Sequence, residues 1–324
     1  MENVELRAIR EAAENDEPLS TELALFILRS SAADLPGIFA AASTVRYRHF
    51  GNTIRLCSIL NAQSGACSED CAFCAQASCH DTEVETTQLC SKEGMVNAFE
   101  QAVELPITHF GVVTSGCALS EKGIERVGSA VREYKHPHTD WCASLGCLDF
   151  DQLRALKDAG LKRFHHNLET AKSFFPQVCT THGWEERLET VRNARRAGLE
   201  VCSGGIFGLG ESLEQRVEFA MTLAHEAVDS IPLNFLVPIP GTRMEGREIM
   251  KPFDMLRVIS MFRLTNCRAE IKVCAGRVHL NDLQSMIFHA GANSMMIGHL
   301  LTVAGGEVER DLQMLRDLEV EYAF

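Results

Sequence analysis

Eight short apolar or β-branched runs, separated by stretches of helical periodicity, constrain the fold of this chain most. Helix-like stretches such as 185–197 and 212–227 fill most of the intervals. Strands that alternate with helices favour a parallel sheet, and eight such units predict an α/β fold, a (β/α)8 TIM-type barrel. A doubly wound open sheet is the alternative, because sequence patterns alone do not separate the two. The runs lie at 54–60, 108–114, 139–145, 163–169, 200–206, 231–237, 270–275 and 294–297.

An N-terminal helical extension is expected before the barrel. Residues 19–49 predict two helices, the first capped by Ser20 and the second running over 35–50. No repeat, low-complexity tract or Pro/Gly-rich linker divides the sequence, so we expect a single domain. Its expected parts are N-terminal helices in 1–50, the barrel in 51–300 and a C-terminal helix in 301–324.

Composition excludes several classes of protein. The net charge of −13 argues against binding of nucleic acid, which needs a basic face. The polar start and the lack of any apolar stretch near about 18 residues predict neither a secretory signal nor a membrane span, so we expect a cytoplasmic protein. Thirteen cysteines without such a signal indicate reduced thiols and metal ligands rather than disulfides.

Cys67, Cys71 and Cys74 form a Cys-x3-Cys-x2-Cys set that is one ligand short of a closed metal site. Three thiolates on a four-iron cluster leave one iron open to bind another molecule. A structural zinc site is the alternative, because Cys79 and His80 follow closely and zinc normally takes four protein ligands. The spacing resembles that of radical S-adenosylmethionine enzymes, as does the aromatic Phe73. That resemblance implies a 4Fe-4S cluster whose open iron binds S-adenosyl-L-methionine.

A second set of cysteines lies on alternate predicted strands. In a barrel, alternate strands contribute the side chains of one interior layer, so four such thiols can meet on the axis. We therefore expect a second iron–sulfur cluster below the first, although any single one of these thiols could equally be a small buried hydrophobe. The set is Cys57, Cys142, Cys202 and Cys274, on the first, third, fifth and seventh strands.

Lys272 precedes Cys274 by two residues and therefore shares its strand face. A lysine that points into a barrel is costly unless an anion receives its charge, which favours an anionic cluster there. If Lys272 instead pointed outward, Cys274 would do so too.

Longer segments resemble the biotin synthase family from about residue 40 to the C-terminus. The similar segments are 61–71, 166–170, 203–211 and 290–294. The resemblance implies that a radical derived from S-adenosylmethionine removes hydrogen from two carbons of dethiobiotin, and that a sulfide of an auxiliary cluster closes the ring. It also implies a flavodoxin- or ferredoxin-type electron donor and a homodimer.

The chain departs from this family at the auxiliary cluster, which family members usually hold as 2Fe-2S with three cysteines and an arginine. Gly111 replaces one cysteine and Lys272 replaces the arginine, whereas Cys57 and Cys274 stand where serine is common. Ser68 also stands where proline is usual. Two ligands are lost and two gained, so we expect four thiolates holding an auxiliary iron-sulfur cluster of 4Fe type rather than 2Fe-2S. The alternative is that this cluster is absent and the chain performs another radical reaction.

Further binding residues follow from the resemblance. Glu169 is expected to bind the ribose of S-adenosyl-L-methionine and Arg187 its carboxylate, although Arg187 could also be an exposed helix arginine. The family pattern places Asn167 and Asn234 on the ureido ring of dethiobiotin, and has asparagine where this chain has His165. A glycine-rich segment is expected to line the cofactor pocket, although turn geometry alone would explain it as well. Its glycines are Gly204, Gly205, Gly208 and Gly210.

Two other functions remain open at this stage. One is a related radical isomerase or maturase, which would not need four thiols from alternate strands. The other is an electron-transfer or cluster-carrier protein, which would need no eight-stranded cavity with buried amides.

Overall fold

Eight parallel barrel strands close into a ring surrounded by helices, so the predicted (β/α)8 barrel is confirmed. The structure is a computed structural model that describes residues 3–298 and 307–322. Closure is made by pairing of the first barrel strand with the last, Arg55 opposite Ser294 and Cys57 opposite Met296. The strands are β1 Thr53–Gln63, β2 His109–Thr114, β3 Asp140–Ser144, β4 Arg163–His165, β5 Glu200–Cys202, β6 Gly205–Phe207, β7 Ser230–Phe235, β8 Glu270–Val273, β9 Ser294–Met296 and β10 Glu321–Tyr322.

Two differences from the predicted strands concern the fifth run and the C-terminus. The fifth run divides into β5 and β6, which pair separately with β7, and Ser203 and Gly204 lie between them. The final segment is not helical to its end, because β10 extends the sheet beside Thr53 and Ile54 of β1. Residues 301–306 of the expected C-terminal helix lie outside the described residues.

The helices cover the outside of the ring. They are α1 Val4–Asn15, α2 Thr21–Arg29, α3 Leu35–Phe50, α4 Lys92–Ala102, α5 Glu121–Glu133, α6 Phe150–Ala159, α7 Trp184–Arg196, α8 Leu213–His225, α9 Pro252–Thr265, α10 Met286–His289 and α11 Val308–Asp317, with 3-10 turns at Phe175–Gln177 and Arg277–Leu283. The two predicted N-terminal helices are confirmed as α2 and α3, and Ser20 caps α2 by accepting from the backbone N–H of Leu23. The helix α1 was not predicted.

The main apolar core fills the layer between strands and helices. Phe99 of α4 stacks on Trp141 of β3 with ring centroids 4.1 Å apart, and Phe110 of β2 meets both rings edge-on. None of the described helices combines the length and apolar character needed to cross a lipid bilayer. The outer packing leaves the inside of the ring to polar and sulfur-containing side chains.

Candidate active site

A cavity of about 290 Å³ opens at the carboxyl ends of the barrel strands. This is the end at which barrels of this type place their functional residues, because the loops that follow the strands converge there. Residues from both predicted cysteine sets line the same cavity. Cys74 and Phe73 come from the loop after β1, and Cys202, Lys272 and Cys274 come from the barrel interior.

The loop after β1 gathers Cys67, Cys71 and Cys74. The backbone N–H of Cys74 donates to the carbonyl of Cys71 at 3.0 Å, and the N–H of Cys67 donates to the carbonyl of Gln76 at 3.1 Å. Burial raises the pKa of Cys71 above its ordinary value and that of Cys74 to about 11. These thiols are therefore neutral unless a metal centre takes their protons, and three sulfur donors in one tight loop fit an iron–sulfur cluster.

All four cysteines of the second set are buried inside the barrel, as predicted. Cys57, Cys142 and Cys202 lie on β1, β3 and β5, whereas Cys274 lies one residue after the end of β8. Burial raises the pKa of Cys57, Cys142 and Cys274, against the opposing influence of the Lys272 charge. No three of these sulfurs lie within 4.8 Å of one another, a spacing too wide for one ion but compatible with a larger cluster.

Lys272 points inward and is 1% exposed, so the outward alternative is wrong. Its Nζ lies 3.2 Å from Oε1 of Glu270, a carboxylate that the sequence analysis overlooked. The angle does not make a hydrogen bond, and among the described residues Nζ has no hydrogen-bond partner. Burial alone would lower the pKa of Lys272, but Cys57, Glu270 and Cys202 hold it well above its ordinary value. Glu270 thus supplies an anion beside Lys272, where the sequence predicted only an anionic cluster.

Positive charge nevertheless exceeds negative charge around Glu270. Its carboxylate also lies 3.4 Å from Nη1 of Arg163 and 3.4 Å from Nη1 of Arg55. Arg163 is 3% exposed and has a second partner, Glu200, which is 31% exposed. The buried carboxylate of Glu270 is therefore shared by two buried cations, Arg163 and Lys272. An anionic group bound by the neighbouring thiols would neutralise the remaining positive charge.

Glu169, Arg187 and Asn167 form one hydrogen-bonded group on the cavity wall. Glu169 lies beyond β4 rather than on it, with a left-handed φ of 67°. Arg187 donates to the backbone carbonyl of Asn167 at 2.6 Å and to Oε1 of Glu169 at 3.2 Å. Arg187 is therefore not the exposed helix arginine of the alternative interpretation. Burial raises the pKa of Glu169, against the opposing influence of Arg187.

The predicted substrate amides already have partners in the protein. Asn234 donates to the carbonyl of Gly205 and accepts from the N–H of Ala275, both at 3.1 Å. Asn167 accepts from the N–H of Gly204 at 3.2 Å. Each amide keeps one N–H for a ligand, and both side chains line the cavity.

His165 occupies the space next to Gly111. A Cβ placed on Gly111 would lie 3.2 Å from Cγ2 of Ile59 and 3.8 Å from Cε1 of His165, so the imidazole would contact a side chain at this position. Burial, followed by the charges of Lys272 and Arg163, lowers the pKa of His165 well below its ordinary value. The imidazole is neutral, and its Nε2 has no hydrogen-bond partner among the described residues.

Backbone packing explains the predicted glycines more directly than a cofactor does. A Cβ on Gly204 would lie 2.0 Å from the carbonyl oxygen of Pro232, and one on Gly205 would lie 2.1 Å from that of Glu169. Gly208 and Gly210 have left-handed φ angles of 93° and 115°. These positions require glycine because of close approach and turn geometry.

Cys179 and His182 were not among the predicted site residues. Both lie in the loop before α7, and their ligand atoms are within 4.8 Å of each other and of Cys71. The Cys-x2-His spacing was the signal that could have found them. The zinc alternative through Cys79 and His80 receives no support, because Cys79 is exposed and, among the described residues, neither belongs to a group of three ligand atoms within 4.8 Å of one another.

Comparison with known proteins gives close relatives over the whole chain. The biotin synthase of Maridesulfovibrio salexigens is 49% identical over 319 residues, covering 98% of this chain and 98% of that protein. The chain belongs to the biotin synthase family. The family member from Aquifex aeolicus is 42% identical and covers 99% of this chain and 98% of its own length.

Two domain families match within this biotin synthase family member. The Radical SAM superfamily matches residues 63–223, and the Biotin and Thiamin Synthesis associated domain matches residues 232–321. The first range contains the cysteine loop and the second contains Lys272 and Cys274. The cavity is therefore built from both matched ranges.

Solved structures of lower identity share the fold alone. A crystal structure of methylornithine synthase has a TM-score of 0.83 at 17% identity, covering 98% of this chain and 97% of that one. The FeFe-hydrogenase maturase HydG from Carboxydothermus hydrogenoformans has a TM-score of 0.81 at 16% identity, covering 99% of this chain and 79% of that one.

Proposed function

We propose that this chain converts dethiobiotin to biotin by inserting sulfur between two saturated carbons. One observation carries the proposal: a single cavity contacts Cys74 of the loop after β1 and also Cys202, Cys274 and Lys272 of the barrel interior. A substrate bound there would lie between a site that starts radical chemistry and a site that can donate sulfur. The family name of the relatives supports the same reaction.

Cys67, Cys71 and Cys74 would hold the 4Fe-4S cluster of the radical chemistry. When bound, this cluster and S-adenosyl-L-methionine supply a radical strong enough to break an unactivated C–H bond. Glu169 offers a buried carboxylate that can accept from two ribose hydroxyls, and Arg187 offers a planar fork of donors to a carboxylate. Because Arg187 is already fixed by Asn167 and Glu169, little side-chain freedom remains to be lost on binding.

Cys57, Cys142, Cys202 and Cys274 would hold the auxiliary cluster, for which we favour the 4Fe type over 2Fe-2S. When bound, this cluster supplies the sulfide that becomes the ring sulfur. The four-thiol donor set, the buried Lys272 ammonium, which makes no hydrogen bond among the described residues, and the local excess of buried positive charge support this assignment. Lys272 would hold its proton and balance the charge of the bound group, and the barrel wall would keep water away.

Asn167, Asn234 and His165 would orient dethiobiotin. Each amide has one free N–H for a carbonyl oxygen, and the neutral His165 offers an unpartnered ring nitrogen. We also propose a flavodoxin- or ferredoxin-type electron donor and a homodimer, both on the ground of family membership.

The test is an anaerobic reaction of the reconstituted chain with S-adenosyl-L-methionine, dithionite and dethiobiotin. Biotin together with 5′-deoxyadenosine is the expected result. Deoxyadenosine without biotin would indicate a different radical reaction, and neither product would indicate an electron carrier. Mass spectrometry of both products distinguishes these outcomes.

Iron and sulfide analysis with Mössbauer spectra tests the type of the auxiliary cluster. We expect about four irons beyond the first cluster, whereas about two would reject the 4Fe assignment. Cys57→Ala and Cys274→Ala should each lose the auxiliary iron and keep the radical cluster. Cys90→Ala, a half-buried cysteine of neither set, is the matched control and should lose no iron.

A further inference from the structure

Cys71 of the radical motif forms a compact group with Cys179 and His182, which lie outside that motif. Among the residues that the structure describes, theirs is the only trio of possible ligand atoms that all lie within 4.8 Å of one another. Cys179 is 2% exposed and the His182 side chain is 6% exposed. Cys179 and His182 take no part in the chemistry proposed above.

Hydrogen bonds of Asp70 fix the two loops that carry this group. Asp70 accepts from the backbone N–H of Thr180 at 2.8 Å and from that of Thr181 at 3.3 Å. The N–H of Ala72 donates to the carbonyl of Val178 at 2.8 Å. These contacts hold Cys71 beside Cys179, so the group is preorganised.

The distance between Cys179 and His182 is that of two ligands in a tetrahedral metal site, and both ligand atoms lie within 4.8 Å of the Cys71 sulfur. Sγ of Cys179 lies 3.3 Å from Nδ1 of His182. Zinc bonds of about 2.3 Å to sulfur and about 2.0 Å to nitrogen, at a tetrahedral angle, place these two atoms about 3.5 Å apart. The same His182 nitrogen lies 2.5 Å from Oε2 of Glu69, which accepts its proton when the site holds no cation.

We propose that Cys71, Cys179 and His182 bind a single thiophilic divalent cation such as zinc or ferrous iron in the cluster-free chain. Two thiolates and one imidazole suit metals of borderline softness. Both thiols release their protons on binding, and the His182 proton moves from Nδ1 to Nε2. Arg187, whose Nη1 lies 3.1 Å from Nε2, then gives up that contact.

The two metal sites exclude each other because both need Cys71. A cation held by Cys179 and His182 removes one of the three thiolates that the radical cluster requires. Occupancy of the small site therefore delays assembly of the cluster until the cation leaves. This inference concerns metal binding alone and stands whatever product the enzyme makes.

Cobalt(II) titration of the full-length, metal-free chain under anaerobic conditions tests the site. Wild type should develop tetrahedral cobalt–thiolate absorption that Cys179→Ser and His182→Gln lose, with zinc affinity weakened at least about ten-fold. The Cys179 thiol donates to Oδ1 of Asp70 at 3.2 Å, and Cys179→Ser replaces it with a hydroxyl that can donate to the same oxygen. Circular dichroism checks the fold of the variant. Cys79→Ala removes an exposed cysteine near the motif and serves as the control, which should bind as wild type does.

Competition with cluster assembly provides the second readout. One equivalent of zinc should slow iron uptake by the wild-type motif and leave uptake by Cys179→Ser nearly unaffected. Equal slowing in both proteins would place the zinc elsewhere and overturn the proposal. Unchanged cobalt spectra in folded Cys179→Ser and His182→Gln would overturn it too.

Discussion

The ammonium of Lys272 lies 3.2 Å from the carboxylate of Glu270, two residues earlier on the same strand. The same carboxylate faces Arg163 and Arg55, and Ser230 donates to it at 3.1 Å. It therefore joins side chains of β1, β4, β7 and β8 inside the barrel. This placement makes Glu270 the residue on which the buried charge balance depends.

Replacing Glu270 should be strongly destabilising. Glu270→Gln leaves Lys272 and Arg163 without their shared anion, and we expect a loss of about 3–5 kcal/mol in the free energy of unfolding. Urea denaturation of the cluster-free chain measures the change. Adding Lys272→Met to this variant should restore part of the loss, because it removes one unpaired charge. Arg55, the exposed partner of Glu270, gives the control. Arg55→Gln should lower the free energy of unfolding by less than about 1 kcal/mol.

Gly205 should not tolerate a side chain. A Cβ there would lie 2.1 Å from the backbone oxygen of Glu169, so Gly205→Ala must push apart the contact that supports Glu169. We expect the free energy of unfolding to fall by about 1–3 kcal/mol, measured by thermal or urea denaturation. Gly128→Ala on helix α5 is the control, because its new Cβ would lie 3.5 Å from the nearest neighbouring atom. Its free energy of unfolding should rise by about 0.5–1 kcal/mol, since alanine is favoured over glycine within a helix. Equal effects in both variants would contradict the role of close approach.

Arg187→Lys should weaken binding of S-adenosyl-L-methionine. Lysine keeps the charge but loses the fork that contacts both Asn167 and Glu169, so we expect a Kd about ten-fold higher or more. Equilibrium dialysis with the reconstituted chain measures the Kd. Arg196→Lys, on the exposed side of the same helix, should leave the Kd unchanged. A similar Kd in Arg187→Lys would remove Arg187 from the cofactor site.

Acid should destabilise the folded chain partly through His109. Burial, followed by the charge of Arg163, lowers the pKa of His109 to about 2. In the unfolded chain this imidazole takes up a proton below about pH 6.5, whereas in the folded chain it stays neutral, so stability falls as the pH drops below that value. Between pH 7 and 5.5 this contribution is about 1 kcal/mol. Urea denaturation of the cluster-free protein at both pH values measures it.

The matched variant for this titration is His109→Gln, which cannot take up a proton in either state. Between pH 7 and 5.5 the free energy of unfolding of this variant should fall by about 1 kcal/mol less than that of wild type. The same fall in wild type and variant would assign the acid sensitivity to other groups.

The strands and the inward thiols could be predicted from sequence because periodicity reports which face of an element is buried. Cys57, Cys142 and Cys202 lie on the strands expected of them, and Lys272 shares the interior with Cys274. Glu270 carried the same signal, since it lies two residues before Lys272 on that face. The same periodicity therefore also predicts Glu270 as an inward-facing partner of Lys272.

Features that depend on the meeting of distant loops could not be predicted. Residues 69–71 and 179–182 are far apart in sequence, and hydrogen bonds of Asp70 bring them together. The break between β5 and β6 depends on the close approach of Gly204 to Pro232, which no local pattern shows. Sequence periodicity reports burial, not which loops pack together.

The buried charges around Glu270 also affect how molecules move through the enzyme. Arg163, Glu270 and Lys272 lie close to one another inside the barrel, and Lys272 also lines the cavity, so a ligand bound there would rest against buried charged side chains. We therefore expect the product to leave through the mouth by which the substrate enters. A product released at this mouth would have to leave before the next substrate could arrive.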